Sequence, residues 1–384
     1  MKNVPYLYAD NKVNKIIVII GFVQALFGIV LFIAKRPRHI SFSFLTIWLA
    51  VIAIFLGARL LPFEVVDYFK PGIFPLVFLF GPLLYMYLSS LTIENFRLKP
   101  AYLLHLVPFL VVCVHRSIVD VVSITSSSDL SENPSYLFNK IYYSIFILSL
   151  FIYWILSLRL VYIHKKNIPY NFSNYTTRNT LNWSVFVLTL FLIFFIADFS
   201  MFYFSRVLNI RIPTISLLPL NITLFTFIII FFGINQTVIY QDKHKIKVYE
   251  PSEKELIDRS RPDRGLIEDT QKEELTEIIL QYLKDKKPYL NPDYSLQMMV
   301  DDLNISRQKL SYLINSGLQK NFYKFINEFR IRDVKEKLLD PAFSHYSVLG
   351  IGLDCGFNSK TSLNRIFKEE TGLTPSEFKR RFAV

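Results

Sequence analysis

The sequence predicts an all-α protein: a seven-transmembrane-helix bundle followed by a soluble α-helical domain with two helix-turn-helix units joined by a long helix. Three observations carry that prediction. Of 384 residues, 52% are hydrophobic, 19% are charged and 36 are Phe, a composition too apolar for a soluble chain. The apolar excess is confined to about the first 240 residues. The C-terminal part instead carries amphipathic stripes, broken at intervals by capping and turn residues.

Ile16 to Ala34, Phe42 to Leu61, Ile73 to Leu91, Ala101 to Val122, Ile141 to Ile163, Trp183 to Tyr203 and Ile215 to Ile234 are apolar runs, each close to the roughly 20 residues that cross a bilayer. A soluble core of long helices would need polar faces alternating with apolar ones, and these runs are apolar all round. The first could serve as a signal peptide. Its run is long for one, however, and Lys35, Arg36 and Arg38 follow it with no A-x-A-like site, so it reads as a retained span.

With the C-terminal end on the inside, seven spans put Lys35, Arg36, Arg38, Arg97, Lys99, Lys165, Lys166 and Arg178 in inside loops. Glu64, Asp67, Asp129 and Glu132 then fall outside. That distribution obeys the positive-inside tendency. Lys2, Lys12 and Lys15 run against it, which makes the first span the weakest of the seven.

Ionisable groups in lipid are expensive unless they face a cavity or a partner. Arg59, His115, Arg116, Asp198 and Asn221 all fall in the outer half of the membrane in this topology, and form a candidate sensing site for a small-molecule, lipid or peptide signal. The structural alternative is that Arg59 and Arg116 snorkel to the interface and Asp198 pairs with one of them. His105 reads as a helix-packing hydrogen bonder. Residues 1–240 thus form a membrane domain. Residues 241–272 form a charged linker, which as a flexible coil of about 30 residues reaches roughly 30 Å.

Residues 273–384 carry the two units. In the first, Leu296, Met299, Val300 and Leu303 face inward, Asn304 suits the turn, and Ser306 can cap a second helix with Leu310, Leu313 and Ile314 on its core face. Opposite lie Gln308, Ser311, Tyr312 and Asn315, with Arg307 at the helix start. A spacer helix follows, with Phe322, Phe325, Ile326, Phe329 and Val334 on one stripe and Pro341 as its stop. In the second unit an apolar stripe of Val348, Leu349, Ile351 and Leu353 ends at Gly356. Phe357 packs inward, Ser359 caps the next helix, and Leu363, Ile366 and Phe367 form its core face. Lys360, Thr361, Asn364, Arg365 and Lys368 remain for solvent. Thr374, Pro375 and Glu377 make a capping box. Two short, polar, cationic helix faces have the properties needed to enter successive major grooves of double-stranded DNA.

The tandem units, with Gly356-Phe357, then Arg365-Ile366-Phe367-Lys368, then Gly372-Leu373-Thr374-Pro375, resemble the DNA-binding domain of the AraC/XylS family of bacterial transcription regulators. The resemblance implies promoter recognition by Arg307, Gln308, Ser311, Tyr312, Asn315, Lys360, Thr361, Asn364, Arg365 and Lys368. Together with the apolar runs, a bacterial DNA-binding domain implies the bacterial cytoplasmic membrane, with the C-terminal domain in the cytoplasm. Three positions depart from the family's pattern: Gly350 and Gly352 stand where Ala is usual, and Leu363 where an aromatic is usual. Glycine within a helix costs roughly 0.5 to 1 kcal/mol relative to Ala, so a looser helix is expected there.

Cys113 and Cys355 are placed too differently to pair, and no zinc-ligand spacing, phosphate loop or nucleophile motif is present. No enzymatic activity, cofactor or metal is expected. The net charge of +12 suits both DNA phosphates and an anionic leaflet. Two function classes follow. One is a membrane-bound one-component regulator whose membrane domain biases the DNA-binding units or a homodimer of them. The other is a transporter or channel with an accessory DNA-binding domain. Clustered charges and the lack of a repeat among the spans favour the regulator.

Overall fold

The computed structural model describes residues 12–61, 74–93, 96–126, 134–206, 217–236 and 269–382. It is all-α, with no strand among the described residues. The chain divides into two compact units: Met1–His164 with Leu181–Asp242, and Lys165–Thr180 with Lys243–Val384. The second unit therefore takes in a piece of chain from within the apolar N-terminal part. Most of the charged linker lies outside the described residues.

The N-terminal part contains α1 (Lys12–Ala34), α2 (Ile40–Gly57), α3 (Phe80–Thr92), α4 (Val107–Ser126), α5 (Pro134–Asn171), α6 (Asn182–Arg206) and α7 (Leu217–Asn235). Short 3-10 turns, Phe74–Leu79 and Pro100–Leu106, lead into α3 and α4. Six described stretches are long and apolar enough to cross a membrane: Asn14–Ala34, Ile40–Leu60, Pro75–Thr92, Pro100–Ile118, Ser144–Asn171 and Leu218–Asn235. The sequence expects seven. The remaining candidate lies in α6, where the apolar stretch Asn182–Asp198 is shorter.

The bundle is held by close helix approach and aromatic packing. Gly21 and Gly28 lie two turns apart on α1. A Cβ at Gly21 would run into Thr223 of α7 and Leu56 of α2, and one at Gly28 into Ile230 and Leu49. Glycine is thus required at both places for α1 to reach its neighbours. The Trp48 indole of α2 packs against Phe191 of α6 and Phe225 of α7, with ring centroids 6.2 and 5.3 Å away. Outward faces are as apolar as the core: Val23, Phe27 and Val30 of α1 and Leu110, Val111 and Val114 of α4 are all more than half exposed. Contiguous apolar surface of that kind is not stable in water.

Polar groups gather at one end of the bundle. Lys35 Nζ donates to the carbonyls of Gly233 (2.9 Å) and Gln236 (3.0 Å), and lies 4.5 Å from the Phe42 ring centroid. A cation there meets the negative end of the α7 dipole. Trp183 Nε1 donates to Gln236 Oε1 at 2.8 Å. The ends of α1 and α7 and the start of α6 therefore share one end of this unit.

The second unit comprises α8 (Asp269–Lys286), α9 (Leu296–Leu303), α10 (Arg307–Tyr312), α11 (Phe322–Leu339), α12 (Val348–Asp354), α13 (Lys360–Thr371) and α14 (Pro375–Phe382). It has two hydrophobic cores, and α11 feeds both. Phe322, Phe325, Ile326 and Phe329 pack with Leu283, Leu296, Met299, Leu310 and Leu313. Tyr323, Ile331, Val334 and Leu338 pack with Ile351, Phe357, Leu363 and Phe367. The spacer is buried on more than the single stripe expected, because each helix-turn-helix unit leans on a different side of it.

One local expectation needs correction. Leu349 and Leu353 do not join Ile351 in the core but are 36% and 48% exposed; they lie four residues apart on the adjoining face of α12. Gly352 is buried, and a Cβ there would press on the Leu363 side chain. Gly352 and Leu363, two of the three departures from the family's pattern, therefore fit each other sterically.

Gly28→Leu should destabilise the bundle by about 1 to 3 kcal/mol through overpacking, whereas Val30→Leu on the exposed face should be nearly neutral. Thermal melting of the purified protein in detergent separates the two. Equal melting temperatures would refute the close approach of α1.

Candidate nucleic-acid interface

Each helix of the two units starts on a side chain able to satisfy its free N–H groups. Ser295 Oγ accepts from the Met298 N–H and Ser306 Oγ from the Lys309 N–H. In the second unit Ser347 Oγ accepts from Gly350 N–H (2.9 Å) and Ser359 Oγ from Ser362 N–H (3.2 Å). The Thr374 capping box is reciprocal: Thr374 N–H donates to Glu377 Oε2 at 2.8 Å, and Glu377 N–H to Thr374 Oγ1 at 3.3 Å. The Thr374 backbone N–H, and then its hydroxyl, hold the Glu377 carboxyl below its ordinary range. The turns sit where glycine and asparagine permit them, with φ of +53° at Asn304 and +89° at Gly356.

The α10 face is not a simple exposed stripe. Gln308 is exposed, but Arg307, Ser311, Tyr312 and Asn315 are half-buried. Beyond Tyr312 the helix widens into a π turn, Leu313–Gly317, with Leu318 N–H donating to the Leu313 carbonyl at 2.9 Å. Asn315 sits in that turn and its Nδ2 donates to Ser311 Oγ at 3.0 Å. Arg307 Nη2 donates to Asn171 Oδ1 at 2.6 Å and Nη1 to Gln297 Oε1 at 3.2 Å.

On α13, Lys360, Thr361, Arg365 and Lys368 are exposed and Asn364 is half-buried. Arg365 Nη2 donates to the Tyr323 hydroxyl, and Nη1 lies 3.4 Å from Glu369 Oε2. Tyr323 belongs to α11, so the spacer helix helps to aim the arginine of the second unit.

At the junction lies Arg330, fully buried on α11. Its Nε donates to the Tyr289 carbonyl (2.7 Å), Nη1 to the Ser173 carbonyl (3.0 Å), and Nη2 to Ser173 Oγ and the Asn291 carbonyl (both 2.9 Å). Burial draws its pKa down to about 9, so it remains cationic at neutral pH. Asn327 Nδ2 also donates to the Ser173 carbonyl at 3.1 Å. Close by, Asp333 accepts from Lys287 Nζ (3.1 Å) and from the Tyr289 hydroxyl (3.1 Å). A Cβ at Gly356 would collide with the Tyr289 carbonyl and Arg330 Nε, so close packing, as well as φ, requires glycine there. The sequence pattern does not reveal Arg330 or Ser173. The spacer helix carries several other charged residues, Lys324, Glu328, Arg332 and Lys335 among them, so nothing in the sequence marks Arg330 as the buried one.

The five candidate sensing residues occupy the N-terminal unit in three kinds of surroundings. Arg59 is exposed, lies 4.9 Å from the Phe55 ring centroid, and acts electrostatically on half-buried Asp198. His115 Nδ1 is 2.6 Å from the Tyr142 hydroxyl, and the adjacent Arg116 is buried. Asn221 lines a small apolar cleft with Trp48, Phe80, Phe191 and Phe225, and its Nδ2 donates to the Phe194 carbonyl at 3.0 Å. His105 bonds the Tyr153 hydroxyl at 2.8 Å, the packing role expected of it. No group of His, Cys, Asp and Glu suited to a metal ion occurs among the described residues.

Arg330→Met should destabilise the second unit by at least about 3 kcal/mol, because several buried carbonyls lose their donor. Cys355 reports this directly. It is fully buried, and burial pushes its thiol up to about 11, so it should resist alkylation at neutral pH until the unit opens. In a Cys113→Ser background, the Met variant should alkylate at Cys355 at least tenfold faster than the parent; equal rates would show that Arg330 does not hold the unit closed.

Residues 299–381 match the model of a family described as a helix-turn-helix domain. Neither the curated proteins nor the solved structures contain a match to the chain. The matched region runs from within α9 to within α14 and takes in the spacer between them, so the C-terminal part of this chain is similar to a DNA-binding helix-turn-helix domain.

Proposed function

We propose that this protein is a membrane-bound one-component transcription regulator of the AraC/XylS type, binding promoter DNA through both helix-turn-helix units under the control of a signal received in the membrane. The observation that carries the reading is the pairing of two capped, fully formed units with a bundle whose outward faces are apolar. In this reading Gln308 and Arg365 read base edges. Arg307, Lys360 and Lys368 engage phosphates, and Ser311, Tyr312, Asn315, Thr361 and Asn364 complete the two faces. The helix-turn-helix domain lies in the cytoplasm of a bacterial cell, facing the inner membrane that holds α1 to α7.

Seven crossings are favoured by the polar end of the bundle. The Trp183–Gln236 bond puts the start of α6 beside the end of α7, so α6 and α7 leave and return as a hairpin, and α6 crosses whenever α7 does. Its 25 residues are ample for that. The signal is received by the outer-half polar residues, with Arg59 and Asp198 as the central pair and His115, Arg116 and Asn221 around them. An uncompensated charge in lipid is expensive, which makes such a pair responsive to a ligand that replaces one partner.

The test is to map the DNA bound by the tagged protein in the cell, then to measure binding of the whole chain in lipid nanodiscs to a mapped promoter and to random DNA. Arg365→Ala and Gln308→Ala should each weaken promoter binding by roughly 1 to 3 kcal/mol and relax sequence preference, and affinity should fall steeply with salt. Equal affinity for promoter and random DNA would overturn the reading.

A further inference from the structure

The segment between α5 and α6 packs within the helix-turn-helix unit, and its contacts converge on the residues assigned to DNA. Phe172 is buried and forms an isolated antiparallel bridge with Ser295, the cap of α9. Ser173 N–H donates to the Tyr294 carbonyl at 3.2 Å. One side chain, Asn174, joins the two units: its Nδ2 donates to the Pro292 carbonyl before α9 (2.7 Å) and to the Gly356 carbonyl in the turn before α13 (3.0 Å). The Tyr175 carbonyl accepts from Asn358 Nδ2 at 3.1 Å, and its ring meets that of Tyr323, the tyrosine that holds Arg365. At the other end, Asn171 Oδ1 holds Arg307.

We propose that residues 171–175 are a regulatory strap. Seated, the strap withholds Arg307 from DNA and fixes the angle between the two helix-turn-helix units; displaced, it raises DNA affinity. The strap is continuous in the chain with α5 on one side and α6 on the other, so a signal that shifts these helices acts on the DNA-binding unit without crossing the charged linker. The two processes are coupled because Arg307 cannot donate to Asn171 and to a phosphate with the same N–H groups. The proposal rests on the DNA-binding reading above.

The test uses the whole chain in lipid nanodiscs and a fluorescent duplex of the mapped promoter. Asn171→Ala removes the acceptor, and binding should tighten by about three- to tenfold; Asn171→Asp strengthens it with a full charge, and binding should weaken by a similar factor. In an Arg307→Ala background the tightening by Asn171→Ala should vanish, the sign that it acts through Arg307. A lock supplies a second measurement with its own folding control. Residues paired across an antiparallel bridge are close enough for a disulfide, so Phe172→Cys with Ser295→Cys, in a Cys113→Ser background, should bind more weakly when oxidised than when reduced. Shifts of Asn171→Ala and Asn171→Asp in the same direction, or equal binding by the oxidised and reduced lock, would overturn the strap while leaving DNA binding intact. Failure of the parent protein to prefer its promoter would instead overturn the DNA-binding reading, and the strap with it.

Discussion

A single buried guanidinium sets the geometry of the helix-turn-helix domain. Arg330 projects from the spacer helix into a site lined by backbone oxygens of two chain segments, the approach to the first unit at Tyr289 and Asn291 and the α5–α6 segment at Ser173, with the Asn327 side-chain Oδ1 of its own helix beside them. A charge without solvent is tolerable only when its donors are taken up, and a missing partner leaves a cost far larger than one ordinary hydrogen bond. Displacing the α5–α6 segment therefore costs Arg330 its two Ser173 acceptors but leaves those at Tyr289 and Asn291, so the segment leaves as a whole or not at all. The turn of the second unit is drawn to the same place, because Gly356 packs directly on Arg330 and Tyr289.

That constraint gives the domain its two-sided spacer. Helix α11 lends Phe322, Phe325, Ile326 and Phe329 to one core and Tyr323, Ile331, Val334 and Leu338 to the other. A rigid rod with a unit on each side holds α10 and α13 at a fixed separation, which the proposed reading of neighbouring major-groove segments requires. The α5–α6 segment adds a brace between the two sides through Asn174.

Much of this was legible in the sequence. Capping residues Ser306, Ser359 and Thr374 and the turn residues Asn304 and Gly356 mark local events, each decided within a few positions, and local chemistry is what a sequence displays. The apolar runs were equally plain, because a bilayer needs length and composition and little else. What escaped were contacts between distant positions. Nothing near Ser173 or Asn171 announces partners more than 130 residues away, and Asn315 sits in a π turn that no periodicity foretells. Nor does the sequence show that Leu363, eleven residues on, occupies the space a Cβ at Gly352 would need.

The central claim is that a piece of chain between two apolar helices is part of the DNA-binding unit and gives way when DNA binds. Hydrogen–deuterium exchange at the Ser173 amide, on the whole protein in lipid nanodiscs with and without promoter duplex, addresses it most directly. Its N–H is bonded to the Tyr294 carbonyl, so slow exchange without DNA and faster exchange with saturating DNA are expected. Rapid exchange in both conditions, or protection that DNA leaves unchanged, would contradict the account.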